Sequence, residues 1–326
     1  MRHSLKLLGF MMLIFAVLVA ALWVFGPYED ADLSTRFDET VLEGGVDTYL
    51  ATQEARFDDI TAGVEKQVVW VKADKSAAPW SVVYLHGFSA TAQEIRPVPD
   101  AVAQALGANL VLTRLKGHGR AGAVMAEATV AAWMHDVAEA LAVARKVGSK
   151  VLILSTSTGG TLAAAAALDE ALMEDVAGIV MVSPNFGVNN PLAPLLTWPA
   201  ARYWLPLLAG ETRSFSPANA AQGKYWTTTY PSVAALPMAA LVKKVVGLNF
   251  AKATVPALFI FSDADAVVRP DITREVAAAW GGPAQINAVI TGPQDDPSAH
   301  VIAGDILSPN LTAPTVAMIV EWAERL

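Results

Sequence analysis

Short apolar runs alternate with longer helical patterns along most of this chain, and this alternation limits the possible folds. The helical patterns cover residues 130–147, 161–173 and 313–325. Continuous apolar runs are typical of strands covered on both faces of a parallel sheet, and parallel strands need helical crossovers. The pattern therefore predicts an α/β fold with a mostly parallel, doubly wound sheet. Its predicted strands are residues 66–71, 81–85, 109–113, 151–155, 178–182, 256–262 and 285–291.

Residues 185–254 interrupt the alternation, because they contain no convincing buried strand. They are rich in proline and in aromatic residues, among them Tyr203 and Tyr230. Such a block between two strands predicts a helical cap inserted over one end of the sheet. The prediction for the remaining chain is an extension or tether over 28–62, with a helix near 46–57, and an α/β domain over 63–326.

Residues 7–25 form an uncharged apolar run. In a helix rising about 1.5 Å per residue, this run approaches the ~30 Å hydrocarbon thickness of a bilayer. Arg2 and Lys6 precede the run and acidic residues follow it, which favours a cytoplasmic N-terminus. We therefore predict a single-pass membrane anchor over residues 1–27, with the catalytic domain exported to the periplasm or the cell exterior. The alternative is a signal peptide cleaved near Val19 and Ala21, which would leave a secreted protein.

Charge and cysteine content exclude several classes of protein. The formal net charge is −8 and no dense lysine or arginine run occurs, so binding to nucleic acid is not expected. The chain has no cysteine, which excludes disulfides, thiolate nucleophiles and cysteine-based zinc sites. No H-E-x-x-H motif or carboxylate cluster appears either. We predict no metal and no cofactor, and the sequence leaves the oligomeric state open.

The strongest local motif centres on Ser157, directly after the strand predicted at 151–155. A nucleophile elbow needs a strand, a tight turn and a helix, with small residues two positions before and after the nucleophile. Ser155 and Gly159 occupy those positions, although the first is usually glycine. The alternative is an ordinary serine-rich N-cap of a helix.

A second motif, His86-Gly87-Phe88, follows the strand predicted at 81–85. A turn here can direct the backbone N–H of Phe88 toward the nucleophile. Together with the N–H of Thr158, it would bind the oxyanion of a tetrahedral intermediate. A strand-ending turn that contains a buried structural histidine is the alternative.

The remaining predicted catalytic residues lie late in the chain, in the order serine, acid, histidine. Asp265 follows the strand predicted at 256–262, and Asp263 is the alternative acid. His300 lies in a loop after the last predicted strand. We predict that Ser157 attacks an ester carbonyl, that His300 transfers the proton, and that Asp265 orients the imidazole.

A dinucleotide-binding motif is the main competing interpretation, since residues 117–122 match G-x-G-x-x-G. That mechanism needs an acid at the end of the next strand to hold the ribose. The next predicted strand ends in Ser155 and Thr156, so we interpret the motif as a loop, with His118 structural or at the rim of the site.

These motifs resemble those of the α/β-hydrolase superfamily, in its monoacylglycerol lipase and lysophospholipase-like branch. The resemblance covers about residues 68–326 and implies a cap after the sixth strand, carboxylic ester substrates and no cofactor. The residues that carry it are His86, Gly87, Phe88, Arg114, Leu115, Lys116, Gly117, His118, Gly119, Trp133, Asp136, Ser157, Asp265 and His300.

The predicted function is that of a serine hydrolase acting on an acyl ester, such as an acylglycerol or a lysophospholipid. Predicted substrate contacts are His86, Trp198, Trp204 and Trp226, although aromatic residues in a cap also serve for packing. A thioesterase or amidase would use the same residues. A catalytically silent, membrane-anchored binding protein is the alternative of another class.

Overall fold

A seven-stranded sheet forms the centre of the protein in this computed structural model, which describes residues 2–326 and, from residue 6 onward, their side chains. Its strand order is β1-β3-β2-β4-β5-β8-β9, with β1 antiparallel to β3 and the other pairs parallel. The predicted α/β class is therefore confirmed. The strands, including two in the cap, are β1 Gln67–Val69, β2 Ala78–Leu85, β3 Asn109–Leu112, β4 Gly148–Thr156, β5 Val176–Val182, β6 Thr212–Ser214, β7 Thr229–Pro231, β8 Ala257–Phe261 and β9 Ala284–Ala288.

Helices connect these strands. The α-helices are α1 Arg2–Phe25, α2 Val46–Glu54, α3 Val98–Leu106, α4 Val130–Val147, α5 Thr158–Ala166, α6 Ala201–Ala209, α7 Ala220–Tyr225, α8 Ala235–Val246, α9 Pro270–Ala279 and α10 Pro309–Ala323. Short 3₁₀ helices span Glu39–Leu42, Gly122–Glu127, Ala193–Thr197, Ser232–Ala234 and Phe250–Lys252. Helix α5 lies earlier than the predicted 161–173, because it begins directly at the turn after β4. It ends at Ala166, and in the turns that follow the Asp169 carboxylate accepts hydrogen bonds from the N–H groups of Ala171 and Leu172.

Both faces of the sheet are buried. Alternate residues of each strand point to opposite faces, so Ile153 packs in one core with α4, α5 and α9, while Leu152 packs in the other with α3 and α10. This arrangement explains the continuous apolar runs from which the strands were predicted.

The cap interval, residues 185–254, contains α6, α7 and α8, and also the small antiparallel pair β6–β7. The interval follows β5, the fifth strand of this chain, whereas the resemblance implied a cap after the sixth strand of the family's fold. Its last α-helix, α8, packs in two layers. Leu241 and Val245 of α8 pack in the core beside the sheet, whereas Leu236 packs with Leu196 and Leu205 of the cap.

The predicted tether, residues 28–62, is packed against the domain. Leu42 and Leu50 are buried in the same core as α4. Glu54, at the end of α2, forms a buried two-point ion pair with Arg114, with N···O distances of 2.7 and 2.8 Å. The sequence predicts an extension or tether here because its apolar residues are few and scattered through a polar stretch, and their burial depends on surfaces that the sheet provides.

Helix α1 is apolar and exposed. None of residues 6–25 is buried, and the helix they form is long and apolar enough to cross a membrane. A signal sequence near an N-terminus meets the same criteria of length and composition. Met1, with which the predicted anchor begins, lies outside the described residues.

The end of α1 is attached to the cap. Trp23 makes an edge-to-face contact with Trp198 at a centroid distance of 5.4 Å. The N–H of Ala200 donates to the carbonyl of Pro27 at 2.7 Å, and Arg202 forms an ion pair with Glu29. The apolar helix and the cap therefore share an interface.

Candidate active site

Ser157 lies at the sharp turn between β4 and α5. Its backbone has φ +51° and ψ −116°, a strained combination for a residue with a side chain. The start of the helix lies very close to β2, since a Cβ at Gly159 would lie only 2.1 Å from the carbonyl oxygen of Leu85. Serine replaces the usual glycine at position 155 without a clash, and its hydroxyl donates to the carbonyl of Val180 at 2.9 Å.

Three side chains that are far apart in the sequence meet at this turn. The Ser157 hydroxyl lies 3.1 Å from Nε2 of His300, and Nδ1 of His300 lies 2.8 Å from Oδ2 of Asp265. All three residues are less than 10% exposed. The arrangement can move a proton from the hydroxyl to an imidazole whose other nitrogen is held by a carboxylate.

The loop after β8 presents Asp265 and directs Asp263 elsewhere. Oδ1 of Asp265 accepts hydrogen bonds from the N–H groups of Val267 and Val268, at 2.8 and 2.9 Å. This leaves Oδ2 for the imidazole. Asp263 is exposed and forms an ion pair with Arg274, so of the two predicted acids only Asp265 contacts His300.

Asp296 holds the loop that carries His300. Its carboxylate accepts hydrogen bonds from the N–H groups of Ser298, His300 and Val301, at 2.8–3.2 Å. The imidazole is therefore positioned from its backbone as well as from Asp265.

The environment of His300 favours its protonated form. Burial lowers the pKa of the imidazole, but the hydrogen bond and charge of Asp265, with the charges of Glu94 and Asp296, raise it more. The net effect is a pKa above the ordinary value of 6.5. Hydrogen bonds to the charged form and nearby negative charge both stabilise an imidazolium.

The two predicted oxyanion donors border the same cavity as Ser157 and His300. Thr158 opens α5, where the first N–H groups have no acceptor within the helix. The N–H groups of Phe88 and Thr158 donate to no other residue in the described part of the chain. Gly87 brings the first turn close, since a Cβ there would lie 3.1 Å from Cβ of Ser157.

His86 supports the turn from inside and does not line the cavity, so its prediction as a substrate contact is wrong. Its Nε2 accepts the N–H of Leu115 at 3.1 Å, and its Nδ1 donates to the carbonyl of Gly87 at 2.9 Å. Burial lowers its pKa well below 6.5. The side chain is fully buried, and both of its ring nitrogens form hydrogen bonds with backbone groups.

An aromatic cluster packs beneath this turn. The ring of His118 lies 5.7 Å from that of Phe88 and 5.9 Å from that of Trp133. Burial lowers the pKa of His118 to about 4, so the ring is neutral near pH 7. His118, predicted to be structural or at the rim of the site, is fully buried beneath the turn.

A cavity of about 620 Å³ opens above Ser157, and its wall is mainly apolar. Trp204 and Trp226 line it, as predicted for substrate contacts. Trp198 instead lines a neighbouring cavity of about 830 Å³ with Trp23, so its predicted contact is wrong. Apolar residues of the Ser157 cavity include Val188, Leu192, Leu195, Leu196, Leu205, Leu208, Phe215, Ala235, Met238, Val267, Val268, Val301 and Leu307.

Comparison with known proteins adds the family. The model of the hydrolase family described as serine aminopeptidase, S33, matches residues 76–291, which is more than half of the chain. This chain is an S33-family hydrolase. The predicted hydrolase superfamily is thereby confirmed, and the prediction that the chain is an enzyme is confirmed with it.

Related proteins agree with the fold of this S33 hydrolase. The thermostable monoacylglycerol lipase of Bacillus sp. (strain H-257) is 27% identical over 192 residues, which are 59% of this chain and 73% of that lipase. A metagenome-derived lipolytic enzyme has a TM-score of 0.64 at 19% identity, covering 82% of this chain and all of its own. The monoglyceride lipase of Saccharomyces cerevisiae has a TM-score of 0.59 at 11% identity, over 80% and 91%. Both structural similarities show the fold alone.

The glycine-rich loop of the S33 hydrolase is filled by protein. A Cβ at Gly122 would lie 2.0 Å from the carbonyl oxygen of Thr229, and one at Gly119 would lie 2.7 Å from Val64. The backbone therefore approaches other parts of the chain where a dinucleotide site would need room for phosphates. Within the described residues, no group of three His, Asp or Glu side chains is arranged to hold a metal.

Sequence reasoning missed three polar residues of this site, Tyr84, Glu94 and Asp296. Tyr84 was hidden in an apolar run, and the two acids lie in loops that also contain other polar residues. The available signal was position, since both acids follow strand ends on the side of the sheet where Ser157 lies.

Proposed function

We propose that this S33-family chain hydrolyses carboxylic esters of apolar acyl groups, with Ser157, His300 and Asp265 as its catalytic triad. The observation that carries the proposal is the continuous hydrogen-bonded series from Asp265 through His300 to a serine in a strained turn, at the floor of an apolar cavity. The same geometry is the recurrent one for activating a serine nucleophile.

The reaction begins when Oγ of Ser157 attacks the ester carbonyl carbon and Nε2 of His300 accepts its proton. The oxyanion lies between the N–H groups of Phe88 and Thr158. The intermediate collapses as His300 returns the proton to the leaving alcohol, which yields an acyl-enzyme. Water then attacks the acyl carbon by the same proton transfer, and Ser157 is regenerated.

An acylglycerol is the substrate class that we favour. The cavity wall is apolar along the cap, which suits an acyl chain, while Asn190, Arg213 and Gln222 supply polar groups for a leaving alcohol. The 27%-identical relative is a monoacylglycerol lipase, which supports the same class. A lysophospholipid, a thioester or an amide would be attacked by the same residues and is an alternative outcome of the test.

The location follows from helix α1. We propose that residues 1–27 anchor the protein in a membrane, with residues 28–62 and the hydrolase domain 63–326, including the cap at 185–254, on the exported side. The helix is apolar and exposed, and it is attached to the cap above the cavity. Substrate would then reach the cavity from the bilayer beside it.

Covalent labelling and turnover test the proposal together. Purified full-length protein is treated with a fluorophosphonate probe and assayed with monoacylglycerols of increasing chain length, a lysophospholipid and an aminoacyl anilide. We expect labelling, and hydrolysis that favours medium or long acyl chains. Ser157→Ala should abolish both and lower kcat by about 10⁴-fold or more.

Ser183→Ala is the matched control, because this buried serine lies directly after β5 and its hydroxyl has no partner among the described residues. It should keep wild-type labelling. An unlabelled wild-type protein would favour a silent binding protein, and preference for the anilide would favour a peptidase.

A further inference from the structure

Glu94 is a buried acid beside the proposed catalytic serine. It is 3% exposed and lines the same cavity as Ser157 and His300. Its Oε2 accepts the N–H of Gly87 at 2.7 Å. The carboxylate also lies against the backbone, since a Cβ at Gly87 would be 2.7 Å from Oε1. This acid therefore contacts the turn that presents the N–H of Phe88.

The turn is fixed from two sides. Glu94 binds the N–H of Gly87, and the ring of His86 binds the carbonyl of the same residue. These two bonds hold consecutive peptide groups, and the second of these peptides carries the N–H of Phe88. Loss of either bond would free the donor to rotate away from the oxyanion.

A buried tyrosine links the acid to the serine turn. Oη of Tyr84 lies 3.1 Å from Oε2 of Glu94 and 3.0 Å from Oγ1 of Thr156, the residue before Ser157. A hydroxyl has one proton to donate, and the charged carboxylate is the stronger acceptor. The chain of contacts thus connects the two turns that carry the oxyanion donors.

The charge of Glu94 also acts on His300. Burial raises the pKa of Glu94 to about 7, while the N–H of Gly87, the charge of His300 and the hydroxyl of Tyr84 oppose that rise. In turn, the negative charge of Glu94 adds to those of Asp265 and Asp296 in raising the pKa of His300. Charges in a buried site interact more strongly than they do in water.

We propose that Glu94 is a positioning residue for the hydrolysis, which holds the oxyanion turn through Gly87 and stabilises the imidazolium form of His300 by its charge. This role rests on the proposed function. The two effects can be separated, because holding the turn requires a hydrogen-bond acceptor for Gly87, whereas stabilising the imidazolium requires a negative charge.

The test compares Glu94→Gln with Glu94→Ala in the full-length protein, using a soluble short-chain ester. Glutamine keeps an acceptor for the N–H of Gly87 but removes the charge. We expect the acid limb of kcat/KM against pH to move to lower pH, with kcat reduced less than about 10-fold. Alanine removes both the acceptor and the charge. In that variant kcat should fall about 10²-fold with KM nearly unchanged, as for loss of an oxyanion donor.

Glu321→Gln is the control, because this exposed acid lies on α10 and does not line the cavity. It should leave the pH profile and kcat unchanged. An unshifted profile in Glu94→Gln would overturn the electrostatic role, and it decides that point even if Glu94→Ala fails to fold. Wild-type kcat in a folded Glu94→Ala would overturn the positioning role.

The two proposals fail in different ways. If Ser157→Ala keeps its activity, the proposed function is wrong. If Ser157→Ala is inactive while Glu94→Gln and Glu94→Ala behave as wild type, only the role of Glu94 is wrong.

Discussion

At the scale of single residues, two acids close in sequence have different surroundings. Asp263 is exposed in an ion pair with Arg274, and Asp265 is buried with one oxygen on backbone N–H groups and the other on His300. The difference arises from the path of the loop after β8. A sequence pattern does not show that path, so it cannot tell which of the two side chains faces His300.

The first prediction concerns this pair. Asp265→Asn should lower kcat by about 10⁴-fold, because an amide can hold the imidazole in the wrong tautomer and no longer stabilises its charge. Asp263→Asn is the matched control and should keep kcat within about two-fold. Steady-state assays of both variants decide the point, and similar losses in the two would contradict the assignment.

The second prediction concerns pH. In the proposed mechanism His300 acts as a base only when it is neutral, and its surroundings raise its pKa above 6.5. Activity should therefore fall as pH decreases through a value above 6.5, and kcat/KM should reach its plateau on the alkaline side. Asp296→Asn removes one of the charges that raise this pKa, so its acid limb should shift to lower pH. A profile with its midpoint below 6.5 in the wild type would contradict this account.

At the scale of elements, the turn between β4 and α5 depends on close contact between backbones. The helix starts so near β2 that Gly159 has no room for a side chain. The same closeness holds the N–H of Thr158 beside the end of β2, from which the turn of Phe88 follows.

The third prediction tests this contact. Gly159→Ala should lower the free energy of unfolding by about 1–3 kcal/mol or more, since the added methyl meets a carbonyl oxygen at 2.1 Å. Gly44→Ala is the control, because a Cβ at Gly44 has open space around it. Denaturant unfolding measures both. Equal stability of the two variants would show that the helix can move away from the strand without cost.

The cap is a second element with a testable property. Leu207 and Leu208 of α6 are 84% and 79% exposed, and α6 follows directly after the contacts that attach α1. Such leucines beside an apolar helix are expected at a lipid surface.

The fourth prediction follows from this position. Leu207→Ser, at the leucine of this pair that does not line the Ser157 cavity, should lower hydrolysis of an acylglycerol in vesicles several-fold, while turnover of a soluble short-chain ester remains unchanged. The soluble substrate is the internal control, because the catalytic residues are intact. Equal loss with both substrates would instead indicate damage to the fold of the cap.

At the scale of the whole molecule, helix α1 is attached to the cap and residues 28–62 are packed on the hydrolase domain. An anchored protein therefore has little freedom to tumble at a membrane surface. If α1 is a membrane anchor, it remains part of the exported protein. If it is a signal peptide, it is removed during export.

The fifth prediction is that the mature protein retains α1 and stays in the membrane fraction after alkaline carbonate washing. Intact mass measurement of the purified protein checks retention of residues 1–27. A soluble product that begins shortly after Ala21 would contradict the anchor and support secretion.

The sequence alone determined the fold class, the order of strands and helices along the chain, and the short set of residues that include Ser157, Asp265 and His300. These features are local, since apolar runs, tight turns and helix starts depend on neighbours in the chain. Strand positions were predicted to within a few residues for the same reason.

Only the tertiary structure decided which of these residues meet. In the folded protein Asp265, and not Asp263, contacts His300, and neither His86 nor Trp198 lines the cavity. Residues 28–62 pack on the domain, and Tyr84, Glu94 and Asp296 lie at the site. The physical reason is that contacts between distant segments depend on how the sheet and helices pack. A pattern along the chain records the burial of a residue but not the partner against which it is buried.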